Sequence, residues 1–193
     1  MNLNHGETQH GSELPRKLEY ALSDTDIKQQ VRNCRLIEYP ELKNYDSITE
    51  LLPNHKDAVV ILVQIKNRHS GHWICLTRFK NVIYLFDPLA YRPDKNLLWT
   101  PKYLRRQLGQ NIPYLSYLLN DALSKKFKVY FNEFKYQQEK QGVNTCGRHV
   151  VNYLRWFYMT ISPTPMKYET YMKGLVKKYD LGPDIIVAQH TSP

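Results

Sequence analysis

Residues 58–87 read AVVILVQIKNRHSGHWICLTRFKNVIYLFD, and this stretch decides the fold. Its first eight residues, 58–65, are almost wholly apolar and mostly β-branched, as expected of a central strand buried on both faces. Residues 66–71 are polar and form a turn. HWICLTR at 72–78 and NVIYLF at 81–86 then read as two further strands, joined by a tight turn near Phe79, Lys80 and Asn81. Pro88 and Pro93 hold residues 87–94 in a loop. Strands linked this closely pair antiparallel.

Helices flank this core. From Cys146 the chain reads CGRHVVNYLRWFYMTI, with Val150, Val151, Leu154, Phe157, Tyr158 and Ile161 at helical spacing. This is the strongest helical pattern in the chain. Ser23, with Asp26 three residues on and Leu22 positioned to staple onto Ile27, opens an earlier helix that runs to about Cys34. A short helix at 47–52 stops at Pro53. Pro113 opens another, with Leu115, Leu118, Leu119 and Ala122 as its stripe. Residues 128–136 alternate as a strand. A last helix follows Pro165, with Tyr168, Tyr171, Met172, Leu175, Val176 and Tyr179 on one face, and ends at Gly182–Pro183. The fold class is α+β, a mostly antiparallel central sheet packed with helices. One domain over residues 1–193 is expected, with 1–15 as a flexible arm.

The chain has 193 residues, 42% of them hydrophobic, with 15 Tyr and 3 Trp. That is enough for a core and argues against disorder. No apolar run reaches the length of a membrane span, and the first residues lack the layout of a secretion signal, so a protein that is not secreted is expected. Three cysteines, Cys34, Cys75 and Cys146, argue against a disulfide framework and match no zinc spacing. The net charge of +9 suits contact with a polyanion or a merely soluble basic surface, and the scattered Lys and Arg residues do not choose between them.

Three residues carry candidate chemistry. Cys146 opens the long helix, where unpaired N–H groups and the helix dipole stabilise a thiolate. Gly147 beside it leaves room for a substrate backbone. His72 stands at a strand edge, where a general base can be held rigidly. Asp87 follows the next strand, placed to accept a hydrogen bond from that imidazole. Taken singly, each has an ordinary reading: a buried core cysteine, a surface histidine at a turn and an Asp-Pro turn. The hairpin that sets the start of one strand opposite the end of the next joins two of them. An oxyanion hole would draw on the Cys146 N–H and a side-chain amide from the nearby Gln137, Gln138 or Gln141.

In this order, His, Asp, Gln and Cys-Gly, the residues resemble the adenovirus-proteinase and SUMO-protease superfamily of cysteine proteases. SGHWICLTRFKNVIYLFDPLAY and GVNTCGRHVVNYL carry the likeness, over about residues 58–158. The wording NTCGRHV, with LSDTDI, YPEL and ITELL upstream, is most similar to capsid-maturation proteases of virophages, Maverick-type elements and large DNA viruses. The resemblance implies a catalytic triad of His72, Asp87 and Cys146 and peptide-bond hydrolysis through a thioester. Trp73, expected in the core, would also flank the substrate cleft with Gly147. The family's glutamine sits six or seven residues before the cysteine, where this chain has Lys140 and Glu139. Gln138 is the favoured oxyanion donor, ahead of Gln137 and Gln141. No cofactor is required, and stimulation by DNA or a peptide is a family trait. Capsid precursors are the implied substrates, viral DNA a possible contact, a monomer the implied state, and the virion and host cytoplasm the site of action.

Other readings share part of this pattern. An isopeptidase acting on a ubiquitin-like modifier needs a broad docking region, which a compact chain of this length does not offer. An acetyltransferase with the same triad needs an acyl-CoA site, and no Gly-rich phosphate loop is present. A basic nucleic-acid-binding protein needs an organised patch or stacking aromatics, whereas the tyrosines fall on helix faces and strands.

Overall fold

The computed structural model describes residues 13–67 and 70–192. Strands β1 (Arg35–Glu38), β2 (Lys56–Asn67), β3 (Ser70–Phe79), β4 (Val82–Phe86) and β5 (Lys128–Phe131) form one sheet in chain order. β2, β3 and β4 are antiparallel neighbours, as the short connections require. The edge strands β1 and β5 join in parallel, so the sheet is mixed. Each parallel pairing is reached through a helical crossover. A 3-10 helix (Tyr39–Asn44) and α3 (Ile48–Leu51) lie between β1 and β2. A second 3-10 helix (Lys95–Trp99), α4 (Lys102–Gln107) and α5 (Tyr114–Ser124) lie between β4 and β5.

The apolar run in β2 is buried on both faces, and alternation sorts it into two cores. Val60 and Leu62, with Trp73, Cys75, Tyr84 and Phe86, meet Val150, Val151, Leu154 and Phe157 of α6 (Cys146–Met159). Val59, Ile61 and Val63, with Ile74, Leu76, Ile83 and Leu85, meet Leu115, Leu118, Leu119 and Ala122 of α5. Each such side chain contributes roughly 1.5–3 kcal/mol when fully buried. The α6 helix is thereby anchored along one sheet face, and its first residue comes to lie at one end of the sheet.

Several boundaries differ from the sequence reading. The α1 helix (Glu13–Glu19) begins within the segment expected to be an arm; residues 1–12 of that segment lie outside the described residues. The α2 helix (Asp24–Gln30) has the expected Ser23–Asp26 capping box but stops before Cys34, because Val31 leaves helical geometry at φ −135°. The strand expected over 128–136 ends at Phe131, where Asn132 turns its side chain into the loop after β4. The α7 helix (Pro165–Tyr179) ends at Asp180, which takes a left-handed conformation. Gly182 and Pro183 then start a further helix, α8 (Pro183–His190), with Pro at its first position.

Candidate active site

His72 lies near the start of β3, paired with Val63 of β2. Gly71 makes this approach possible: a Cβ there would stand 2.1 Å from the Val63 carbonyl oxygen. Asp87 follows the last residue of β4. The register sets Phe86 opposite Cys75, so His72 and Asp87 are not cross-strand partners, contrary to the simple hairpin picture. They meet because Asp87 has left the ladder and can turn back. His72 Nε2 and Asp87 Oδ1 are 2.8 Å apart, and both residues are buried.

Asp87 is held on every side. Its Oδ1 also accepts the Leu89 N–H at 2.8 Å, and its Oδ2 accepts the Asn96 amide at 2.9 Å. Asn132 brackets its backbone, accepting the Asp87 N–H at 2.9 Å and donating to the Asp87 carbonyl at 2.6 Å. The Trp99 and His72 rings meet in a T-shaped arrangement with centroids 5.4 Å apart, and Tyr91 packs on Trp99. Asn96, Trp99 and Asn132 were not singled out in the sequence. All three lie far along the chain from His72, in segments without a regular pattern.

Cys146 arrives from the opposite sheet face as the first residue of α6, only 6% exposed. Burial pushes its thiol up. A hydrogen bond and positive charge from His72 outweigh that, with further support from the Trp73 and Gly147 N–H groups, and the thiol ends below its ordinary value. Burial pushes His72 down, but the charge and hydrogen bond of Asp87, with the thiol beside it, raise it to about 10. Both directions favour a thiolate–imidazolium pair. Since Nε2 faces Asp87, Nδ1 is the nitrogen left for the thiol.

The remaining site assignments need correction. Trp73 does not flank an open cleft. It is buried in the core, where its indole N–H donates to the Leu22 carbonyl at 2.9 Å. The space at Gly147 is likewise filled from inside: a Cβ there would lie 3.0 Å from Leu22 and 3.1 Å from the Trp73 ring. Gly147 therefore lets α6 approach α2 and Trp73. Gln138 and Gln141 are exposed, and the Gln138 side chain lies towards Gly182. Gln137 is the buried glutamine. Its backbone N–H donates to the Pro88 carbonyl at 2.9 Å, and its side-chain amide donates to the Val143 carbonyl at 3.1 Å. It thus joins the loop after Asp87 to the loop before Cys146. The bond to Val143 uses one of the two amide N–H groups. Gln137 stands nine residues before Cys146, beyond the family's usual six or seven, and is the second choice behind Gln138 on spacing.

No family model matches the chain. The uncharacterized protein V9 of the Sputnik virophage is 34% identical over 173 residues, which is 89% of this chain and 94% of that protein. Among solved structures, the ASFV pS273R protease superposes with a TM-score of 0.40 at 14% identity, covering 77% of this chain. The superposed part spans 62% of that protease's length.

Proposed function

This chain belongs to the family of the Sputnik virophage protein V9, and we propose that it is a viral cysteine endopeptidase that cleaves capsid or virion precursor proteins during maturation. The observation that carries this reading is the buried line Asp87–His72–Cys146, with its thiolate-favouring electrostatics at a helix N-terminus.

In this mechanism the Cys146 thiolate attacks the scissile carbonyl carbon. The resulting oxyanion is met by the Cys146 N–H and the second N–H of the Gln137 amide. The His72 imidazolium gives its Nδ1 proton to the leaving amine, the C–N bond breaks, and a thioester remains on Cys146. His72, now neutral, takes a proton from water as the hydroxide adds to the thioester. The acid product leaves and the thiolate returns. Asp87 keeps the imidazole in the required tautomer and stabilises its charge. Precursors assembled in the host cytoplasm and virion are the substrates in this reading, and the +9 charge suits contact with packaged DNA.

Co-expression with candidate capsid proteins from the same genome, followed by mass determination of the products, tests the assignment. Discrete cleavage that disappears in Cys146→Ala is the expected result. Cleavage that persists in Cys146→Ala rules out the mechanism.

A further inference from the structure

Behind the nucleophile, three donors converge on one buried carboxylate. Asp184 lies in the first turn of α8 and is 3% exposed. Its Oδ1 accepts the Thr145 hydroxyl and is 3.0 Å from His149 Nε2; its Oδ2 accepts the Gln138 backbone N–H at 3.0 Å. Thr145 immediately precedes Cys146, and Gln138 immediately follows Gln137. The carboxylate therefore ties together the two segments that carry the oxyanion donors.

Thr145 adds a second observation. It occupies the N-cap position of α6, where a threonine hydroxyl ordinarily accepts an N–H from the first turn. Here it makes no side-chain cap bond; its hydroxyl is turned towards Asp184, to which it donates. The first-turn N–H groups are thus left to the sulfur and to whatever binds beside it. Thr145 and His149 are both fully buried, so water does not compete for these bonds.

We infer that Asp184 is a positioning residue for the oxyanion hole: it withholds the Thr145 hydroxyl from the helix cap and sets the distance between the Cys146 N–H and the Gln137 amide. The inference rests on the cysteine-hydrolase reading and adds a residue that touches neither substrate nor thiol. Asp184→Asn cannot reproduce the arrangement. An amide has one accepting oxygen, and its NH2 would face a donor.

Two small reagents separate the oxyanion hole from the thiolate. p-Nitrophenyl acetate acylates the sulfur through an oxyanion: the S–C bond forms, the C–O bond breaks and p-nitrophenolate leaves with the electron pair. Iodoacetamide alkylates the same sulfur with loss of iodide and develops no oxyanion. Rates are taken on the full chain, with Cys146→Ala subtracting any reaction at Cys34 or Cys75. In Asp184→Asn, acylation should fall roughly 10–100-fold while alkylation stays within about twofold. Thr145→Val should show the same split, and Thr145→Ser should restore acylation. Unchanged acylation in both Asp184→Asn and Thr145→Val overturns the inference, and so does a proportional fall of both reactions. If Asp184→Asn does not fold, the Thr145→Val and Thr145→Ser pair decides alone. A wild-type chain without Cys146-dependent acylation overturns the hydrolase reading itself, and this inference with it.

Discussion

Two histidines in this molecule sit against buried carboxylates, His72 with Asp87 at 2.8 Å and His149 with Asp184 at 3.0 Å, yet they are driven in opposite directions. Burial disfavours the charged ring in both. For His72, the Asp87 charge and the thiol beside the second nitrogen overcome burial and raise it to about 10. For His149, burial prevails over Asp184 and leaves the ring below its ordinary value, with the charge on His72 pushing the same way. Its Nδ1 has no hydrogen-bond partner among the described residues. Each carboxylate accepts from two further donors, Asp87 from Leu89 and Asn96 and Asp184 from Thr145 and Gln138, so the number of donors does not separate the two pairs. A His–Asp pair is therefore not a catalytic unit by itself. What the second ring nitrogen meets decides whether the pair stores a proton or holds a frame.

The largest test of this contrast replaces each histidine. His72→Ala should lower turnover by about 10⁴-fold or more, as should Cys146→Ala. His149→Gln, which keeps an N–H for Asp184, should stay within about tenfold of the wild-type rate. Equal losses at the two positions would break the comparison. Asp87→Asn should cost about 10²–10⁴-fold in kcat, since the residue orients the ring and steadies its charge without reacting. Steady-state cleavage of the substrate found by co-expression measures both.

The glutamines come next. Gln137→Ala should lose roughly 10²–10³ in kcat, whereas Gln138→Ala, whose side chain is exposed, should change it less than about twofold. The reverse order would restore Gln138 as the oxyanion donor. The pH profile sharpens the pair's assignment more gently. Thiolate and imidazolium coexist only above the Cys146 value and below the His72 value. Activity should therefore rise at a pH below the ordinary thiol range and fall near pH 10, through loss of the proton from His72. The smallest effect belongs to Asn96→Ala, which leaves Asp87 Oδ2 without its amide donor. A loss of about 1–3 kcal/mol in denaturant unfolding is expected, with a modest fall in rate.

Much of the architecture was legible in the chain because it depends on neighbours. The apolar run over 58–65 specified a strand buried on both faces, and the structure divides its side chains between two cores. The Ser23–Asp26 box starts a helix through bonds three residues apart. The apolar spacing after Cys146 fits one helix face on the sheet. The segment 183–190 was missed because Gly-Pro ends one helix and begins the next, and local composition does not separate those roles. The parallel pairings of β1 with β2 and of β5 with β4 were equally hidden, since each is formed across a crossover of many residues.

The candidate site divides along the same line. His72, Asp87 and Cys146 could be proposed from the chain because each stands at the edge of an element with a clear period and their order resembles that of a known family. Which glutamine is buried, which asparagines grip Asp87 and which carboxylate stands behind Cys146 could not. Those bonds join residues as far apart as Asp87 and Asn132, or Gln138 and Asp184. Period and capping are local and survive in the sequence alone. Hydrogen bonds between distant loops exist only after the two cores have brought the sheet end, α6 and α8 together, so only the tertiary structure decided them.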